Sequence, residues 1–459
     1  MPSQSQKKYT AQFIMAGATV LLVVVALFLM IESGDIVFLK IIGELLAETW
    51  WIILPIPIWK IFMMVWDEYM LFKWVQGIKT VLLEIIPPAD VEKSPKIMEQ
   101  VFSGLHTWST PNLFEIYCGW RVGQDKFSFE IASNEGRVHF YVRCPVITRN
   151  NIESQIYAQY PDTEIYEVDD YTNKVPRNLP NQDWDVWGTT LKLAQRDELP
   201  IRTYKNFIED VTGKMIDPLA SLTEVMSAFG AGQYGWLQIV FSPANEVLWH
   251  PSSEEYIEEL IGRKKVAERK SLFSYLGEIG VIPGNIFRGI FAQDLAAPSD
   301  SSETTVEEEF NINRLSPDEQ EKVKAVYNNI SKVGFKTAIR YVYIGKRENF
   351  NKALGVAGVI GTIKQFSDVN LNALYPDPKS KTVANYYFVD SRKSYRQRRI
   401  MQDYRDRSFT MDTFIFNIEE LATIFHFPDM SVKAPNLTRI EAKKGGAPQN
   451  LPIEFEPSS

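Results

Sequence analysis

Cysteine and histidine are scarce, with two and four residues in a chain of 459. So few cysteines exclude a disulfide-built scaffold and leave no cysteine zinc cluster within one chain. An excess of positive charge is missing too. The 49 Lys and Arg face 57 Asp and Glu, a formal charge of -8, so nucleic acid would have to be met by a local patch. The patterns GxxxxGK[ST], HExxH, CxxC and GxSxG do not occur. The GAGQYG run at Gly230–Gly235 leads into strand-like WLQIVF, where a dinucleotide loop must open a helix. His106, His139, His250 and His426 are scattered, and Asp162, Glu164, Glu167, Asp169 and Asp170 read as a solvated rim. Cys118 and Cys144 read as small buried hydrophobes on or beside strands. These absences imply no catalytic residues, no metal, no cofactor and no enzyme activity.

Long apolar runs, by contrast, are present. Ala11–Ile31 contains no charge over 21 residues. As a helix it would span roughly 30 Å, the hydrocarbon thickness of a bilayer. A second run, TWWIILPIPIWKIFMMV from Thr49, is studded with Trp50, Trp51 and Trp59 and interrupted by Pro55, Pro57 and Lys60. The expectation is a membrane anchor over 1–86, with spanning helices at about 11–31 and 49–66 and an amphipathic helix through Phe72–Ile86. Lys7 and Lys8 precede the first run, and Lys73 and Lys79 lie beyond the second. That bias places both ends of a hairpin in the cytoplasm, with the protein in the cell inner membrane and lipid as a partner.

Beyond Pro88 the pattern predicts an α+β fold of antiparallel sheets covered by helices, in two related modules at 110–183 and 184–415. Asn112–Arg121, Lys126–Ile131, Arg137–Arg143, Glu164–Val168, Trp184–Leu193, Gln233–Phe241 and Gly334–Tyr343 read as strands. Ile147–Tyr160, Asp217–Phe229, Pro317–Val333 and Asn349–Phe366 read as helices, with Ser316 as an N-cap. The acidic, small-residue stretch 292–313 reads as a disordered loop within the second module, and 416–459 as a docking segment with an extended tail.

Asp390–Arg407 carries seven basic residues, Arg392, Lys393, Arg396, Arg398, Arg399, Arg405 and Arg407, interleaved with Tyr395 and Tyr404. A solvated helix, a surface for an acidic protein and a phosphate-contacting patch all fit this spacing. Downstream, FIFNIEELATIFHFP at Phe414–Pro428 is followed by VKAP at Val432–Pro435, then Arg439, then NLP at Asn450–Pro452. Together with AQYPDTEIYEVDDY at Ala158–Tyr171, this string resembles the segment before the ATPase domain of membrane-linked type IV secretion or conjugation-type coupling ATPases of candidate-phyla bacteria. The likeness covers roughly 110–455. It implies a membrane-anchored, noncatalytic scaffold of a secretion or DNA-transfer apparatus that docks a separate motor ATPase. Glu419, Glu420, His426, Pro428 and Pro435 match the family string and would pack and dock, with Phe416, Leu421 and Phe425 as the apolar centre. The rival readings are a membrane-bound nucleic-acid-binding protein and an extracytoplasmic structural protein of the envelope. A homo-oligomer is compatible with each.

Overall fold

The computed structural model of the chain describes Glu48, Trp51 and residues 55–88, 94–207, 216–245, 253–254, 256–258, 316–409 and 413–428. The expected span at 11–31, the loop at 292–313 and the tail beyond 428 lie outside the described residues.

Among the described residues no helix is long and apolar enough to cross a membrane. The expectation of N-terminal transmembrane helices is therefore corrected for the second run. Its described part opens α1 (Pro55–Gly77), which continues through Lys60, Asp67, Glu68 and Lys73. The end of α1 rests on protein. Trp66 Nε1 donates to the Tyr117 carbonyl at 3.2 Å, and Met70 is buried. Its neighbour there is Gly119, at φ +70, where a Cβ would stand 2.8 Å from the Met70 sulfur. Trp59, Phe62, Tyr69 and Phe72 remain exposed. The helical reading through Ile86 also yields: the chain leaves α1 at Gly77 and enters β1 (Thr80–Ile86), whose TVLLEII favours a strand through its β-branched residues. Asn112–Arg121, read as a strand, instead holds α3 (Leu113–Cys118), started by an Asn112–Glu115 capping box.

The first half continues with α2 (Lys96–Leu105) before α3, then β2 (Phe127–Asn134), β3 (Arg137–Pro145), α4 (Arg149–Gln159) and β4 (Glu164–Glu167). Glu135 and Gly136, at φ 54 and 87, make the tight turn between β2 and β3. The second half runs β5 (Trp184–Leu193), α5 (Ala220–Ser227), β6 (Gln233–Pro243), α6 (Pro317–Ile330) and β7 (Gly334–Lys346). A short π-helix at Ala353–Gly358 then enters α7 (Val359–Ile363), followed by β8 (Leu374–Pro376). Last come α8 (Val389–Arg405), β9 (Phe414–Asn417) and α9 (Ile418–Ile424).

Among the described residues the strands join one nine-stranded sheet in the order β4-β1-β3-β2-β6-β7-β5-β8, with β9 added to β7. Strand, helix, hairpin, helix, strand in the order β4-β1-β3-β2 is the split βαβ arrangement of ferredoxin-like folds. Strands β8-β5-β7-β6 repeat that order from the other edge, and the antiparallel β2–β6 pair joins the halves. Every pair in the sheet is antiparallel.

Period-two alternation divides the side chains between two faces. One face packs Phe129, Phe140, Leu237, Phe241 and Tyr341 against apolar residues of α2, α4, α5, α7 and α9. On the other face α8 lays Ile400, Met401 and Tyr404 over Val186, Trp236, Val342 and Ile344. Gly188 admits that approach, since a Cβ there would lie 3.1 Å from Ile400. Strand β9 pairs with the start of β7, Gly334 opposite Asn417 and Thr337 opposite Phe414, just beyond the stretch that pairs with β5. The chain after β9 thus returns into the helical layer.

Candidate functional site

The α8 face carries a polar row across the middle of the sheet. Glu130 of β2 sits opposite Gln238 of β6, which sits opposite Arg340 of β7. All three are fully buried. Helix α8 ends over this row. Its last turn closes with the Arg407 N–H donating to Tyr404 O and the Ser408 N–H to Asp403 O, which is the Schellman pattern. Arg407 occupies the left-handed position, at φ 47, where glycine is the usual residue. Its side chain accounts for the choice. Nε and Nη2 donate to Glu130 at 3.0 and 3.2 Å, and Nη1 and Nη2 donate to Asp170 at 2.5 and 3.2 Å. Glu130 also accepts from Ser128, Gln238 and Tyr171 at 2.6, 3.0 and 2.6 Å. Burial would lower the Arg407 pKa, but Glu130 and Asp170 hold it well above the usual arginine value. Burial would likewise raise Asp170, and Arg407 holds it below the usual carboxylate value. This cluster is closed: its carboxylates and guanidinium serve one another.

The remaining basic residues of α8 divide by what they hold. Arg405 donates to the carbonyls of Pro176 and Arg177 at 3.0 and 3.1 Å. Lys393 reaches Asp185 at 3.4 Å. Arg392 donates to Asn385 O at 3.2 Å, and Arg396 to Lys381 O and Val383 O at 3.1 and 2.5 Å. These last two tie the incoming loop to the helix. Arg399 stands 3.9 Å from Asp403, and Arg398 makes no hydrogen bond or ion pair among the described residues. Arg392, Arg398 and Arg399 are exposed.

The loop they tie presents residues that the charge pattern did not single out. Tyr386, Tyr387 and Phe388 are 86, 84 and 82% exposed, and Val389 and Tyr395 are exposed on α8. Tyr386 and Phe388 have φ of 68 and 53, a backbone conformation that costs an aromatic residue roughly 1–2 kcal/mol. The signal was present as a YYF run directly before the arginines. Its exposure could not be read, because three adjacent aromatic residues look equally like core.

The C-terminal string lies inside the molecule. Phe416, Leu421 and Phe425 are completely buried, and Pro428 is buried as well. Phe425 packs between Phe129 and Phe140 with ring centroids at 5.0 and 5.8 Å. His426 Nδ1 donates to the Ala422 carbonyl at 2.8 Å, and Nε2 stands 3.1 Å from Asp217. Glu419 accepts from Thr203 and Lys205 at 2.6 and 2.7 Å and pairs with Lys332. Burial would raise its carboxyl, yet these partners hold it below the usual value. Pro435 lies outside the described residues.

Glu420 closes the capping box of α9 with Asn417 and also accepts from Ile201 N at 3.0 Å. Burial pushes its carboxyl from 4.5 up to about 8, helped by Glu419 and Asp197 and opposed by the two backbone N–H groups. The folded state therefore holds a proton that the unfolded chain releases above 4.5. Stability from this group is full below 4.5 and is lost as pH rises through 8, by at most about 1.4 kcal/mol per unit. Urea midpoints measured from about pH 5.5 to 8.5 should decline, and Glu420→Gln, which can still cap, should flatten the decline. An equal slope in the variant would assign the pH dependence elsewhere.

No curated protein matches the chain. The likeness to coupling ATPases drawn from Phe414–Pro428 and Ala158–Tyr171 is therefore corrected, because the family that does match is one of unknown function. With no membrane-spanning helix among the described residues, the anchored secretion scaffold, its two membrane or envelope rivals and the inner-membrane location lose their structural basis. The matching model is described as a domain of unknown function (DUF8128) and covers residues 75–439, from the end of α1 to beyond α9, and this chain belongs to that family.

Proposed function

We propose that this chain is a noncatalytic protein-binding module that docks an acidic protein segment on the aromatic and arginine surface leading into α8. The observation that carries the reading is the near-complete exposure of Tyr386, Tyr387 and Phe388 in a loop held by arginine side chains. Tyr, Phe and Arg are enriched at the centres of protein interfaces, where a rigid presentation lowers the entropy cost of binding. Left-handed conformations at Tyr386 and Phe388 are a local cost that a packed core does not require of them. Charge complementarity favours an acidic partner, since Arg392, Arg398 and Arg399 are exposed on the adjoining turns. The noncatalytic part of the reading is supported by the Arg407, Glu130 and Asp170 cluster under α8, whose charged groups are occupied by one another.

The test uses the full chain in cells, with a photo-crosslinking amino acid at position 387 and a control at the exposed position 324 of α6. A discrete adduct with an acidic protein is expected at 387 alone. With that partner purified, Tyr387→Ala and Phe388→Ala should each weaken binding about 30-fold, roughly 2 kcal/mol. Substituting Arg398 or Arg399 should chiefly slow association and reduce its salt dependence. Adducts with nucleic acid, or equal labelling at both positions, would overturn the reading.

A further inference from the structure

Beyond the end of α8 the same sheet face continues for another turn of the strands. Alternation places Lys126 and Ser128, Arg143, Ser242 and Val240, and Lys336 and Ala338 on this face, in line with Glu130, Gln238 and Arg340. Ser128 is opposite Arg143 on one side and Val240 on the other. Ser242 is opposite Lys336. Lys126 precedes β2 and, by continuing its register, falls opposite Ser242 from the other side. Small side chains thus form the floor, and Lys126 and Lys336 stand on either side of Ser242.

The two lysines lack a close counter-charge. Lys126 and Lys336 are half-buried and make no ion pair among the described residues. Both ammonium groups approach a single ring, Phe409, at 5.9 and 5.6 Å from its centroid. Arg143 spends Nε and Nη2 on Thr80 Oγ1 at 3.0 and 2.8 Å and Nη1 on Arg405 O at 3.3 Å, and its nearest carboxylate, Asp170, is 3.9 Å away. Asp170 is already engaged by Arg407. Arg340, one row inward, adds a fourth positive charge. Burial lowers the Lys126 pKa, and Arg143 and Arg340 lower it further, against a weaker pull from Asp406. Burial alone lowers Lys336. Half-buried like charges without a close carboxylate destabilise one another, and an anion that desolvates with the two lysines reverses the sign.

We propose that Lys126 and Lys336 form a binding site for a phosphate group, inorganic or esterified, seated over Ser242 beside the Phe409 ring. Two flexible ammonium groups approach one ring from either side of Ser242, which suits a tetrahedral dianion with acceptors on several sides. The site lies past the C-terminal end of α8, whereas the aromatic docking surface lies at its N-terminal end, so each stands without the other.

The full chain is titrated calorimetrically with inorganic phosphate at neutral pH and fixed ionic strength, then with phosphoserine, and with chloride as the control. Saturable phosphate binding is expected. Lys126→Met and Lys336→Met should each weaken it about tenfold, and the double variant should show no saturable heat. A role in folding alone would behave differently. The methionine variants keep the apolar stem and relieve repulsion, so without phosphate they should melt no lower than the parent chain. Phosphate should then raise the melting temperature of the parent only. Phosphoserine binding equal to or tighter than phosphate assigns the site to an ester, and binding of phosphate alone assigns it to the free ion. Absence of saturable binding in the parent chain, or undiminished binding in the double variant, would overturn the site.

Discussion

Replacing Arg407 by alanine is expected to destabilise the fold by about 3–5 kcal/mol, the usual cost of breaking one side of a buried ion pair. Arg407 is 6% exposed and Glu130 is fully buried, so the substitution strands a carboxylate that water cannot reach. Tyr171, Gln238 and Ser128 would still donate to Glu130, but none of them carries charge. The backbone provides an internal comparison. At φ 47 a glycine relieves left-handed strain of roughly 1–2 kcal/mol, so Arg407→Gly should be less damaging than Arg407→Ala yet still clearly destabilising. Adding Glu130→Gln to Arg407→Ala removes the stranded charge and should recover part of the loss. Arg398→Ala, on the exposed side of the same helix, should stay within about 0.5 kcal/mol. Urea denaturation of the four variants measures the series. A loss below about 1 kcal/mol for Arg407→Ala would mean that the cluster contributes no more than a surface pair.

That cluster was not legible in the sequence. Glu130, Gln238, Arg340 and Arg407 come from three strands and a helix end, and only strand register makes them neighbours. Arg407 itself looked like one of seven similar basic residues. What separates it from Arg398 is the left-handed turn, which no local pattern announces when the residue is not glycine. Elements with strong local signals were legible. Trp184–Leu193 is a strand over the range its alternation indicates, and Ser316 caps α6 as its position before Pro317 suggests. β1 was misread because an apolar run directly after the helix pattern of Phe72–Gly77 fits helix and strand alike. The membrane reading of the second run failed on the residues just downstream: Asp67, Glu68 and Lys73 belong to the same helix as Trp59 and Phe62.

The fate of the C-terminal string shows the same limit. An amphipathic run near the end of a chain reads equally as a surface for a partner or as a strap returning to its own core. Phe425→Ala separates the two by its effect on stability. The ring is fully buried between Phe129 and Phe140, with Phe427 at 6.1 Å continuing the edge-to-face aromatic cluster. Removing it leaves a cavity lined by rigid rings that cannot easily collapse, and a loss of about 3–5 kcal/mol is expected. The position multiplies the consequence. α9 and the residues after it contact both halves of the fold: Phe425 meets β2 and β3, Glu420 holds the backbone of Ile201, and His426 faces Asp217, the last two between β5 and α5. A loosened α9 should therefore expose amides of both halves. Hydrogen exchange should rise at Ile201 and Thr423 together with Phe129 and Phe140, whereas Phe388→Ala, on the exposed loop, should leave all four unchanged. A stability loss below about 1 kcal/mol for Phe425→Ala, with exchange confined to α9, would show that the string is a removable cover whose contacts add little to the core.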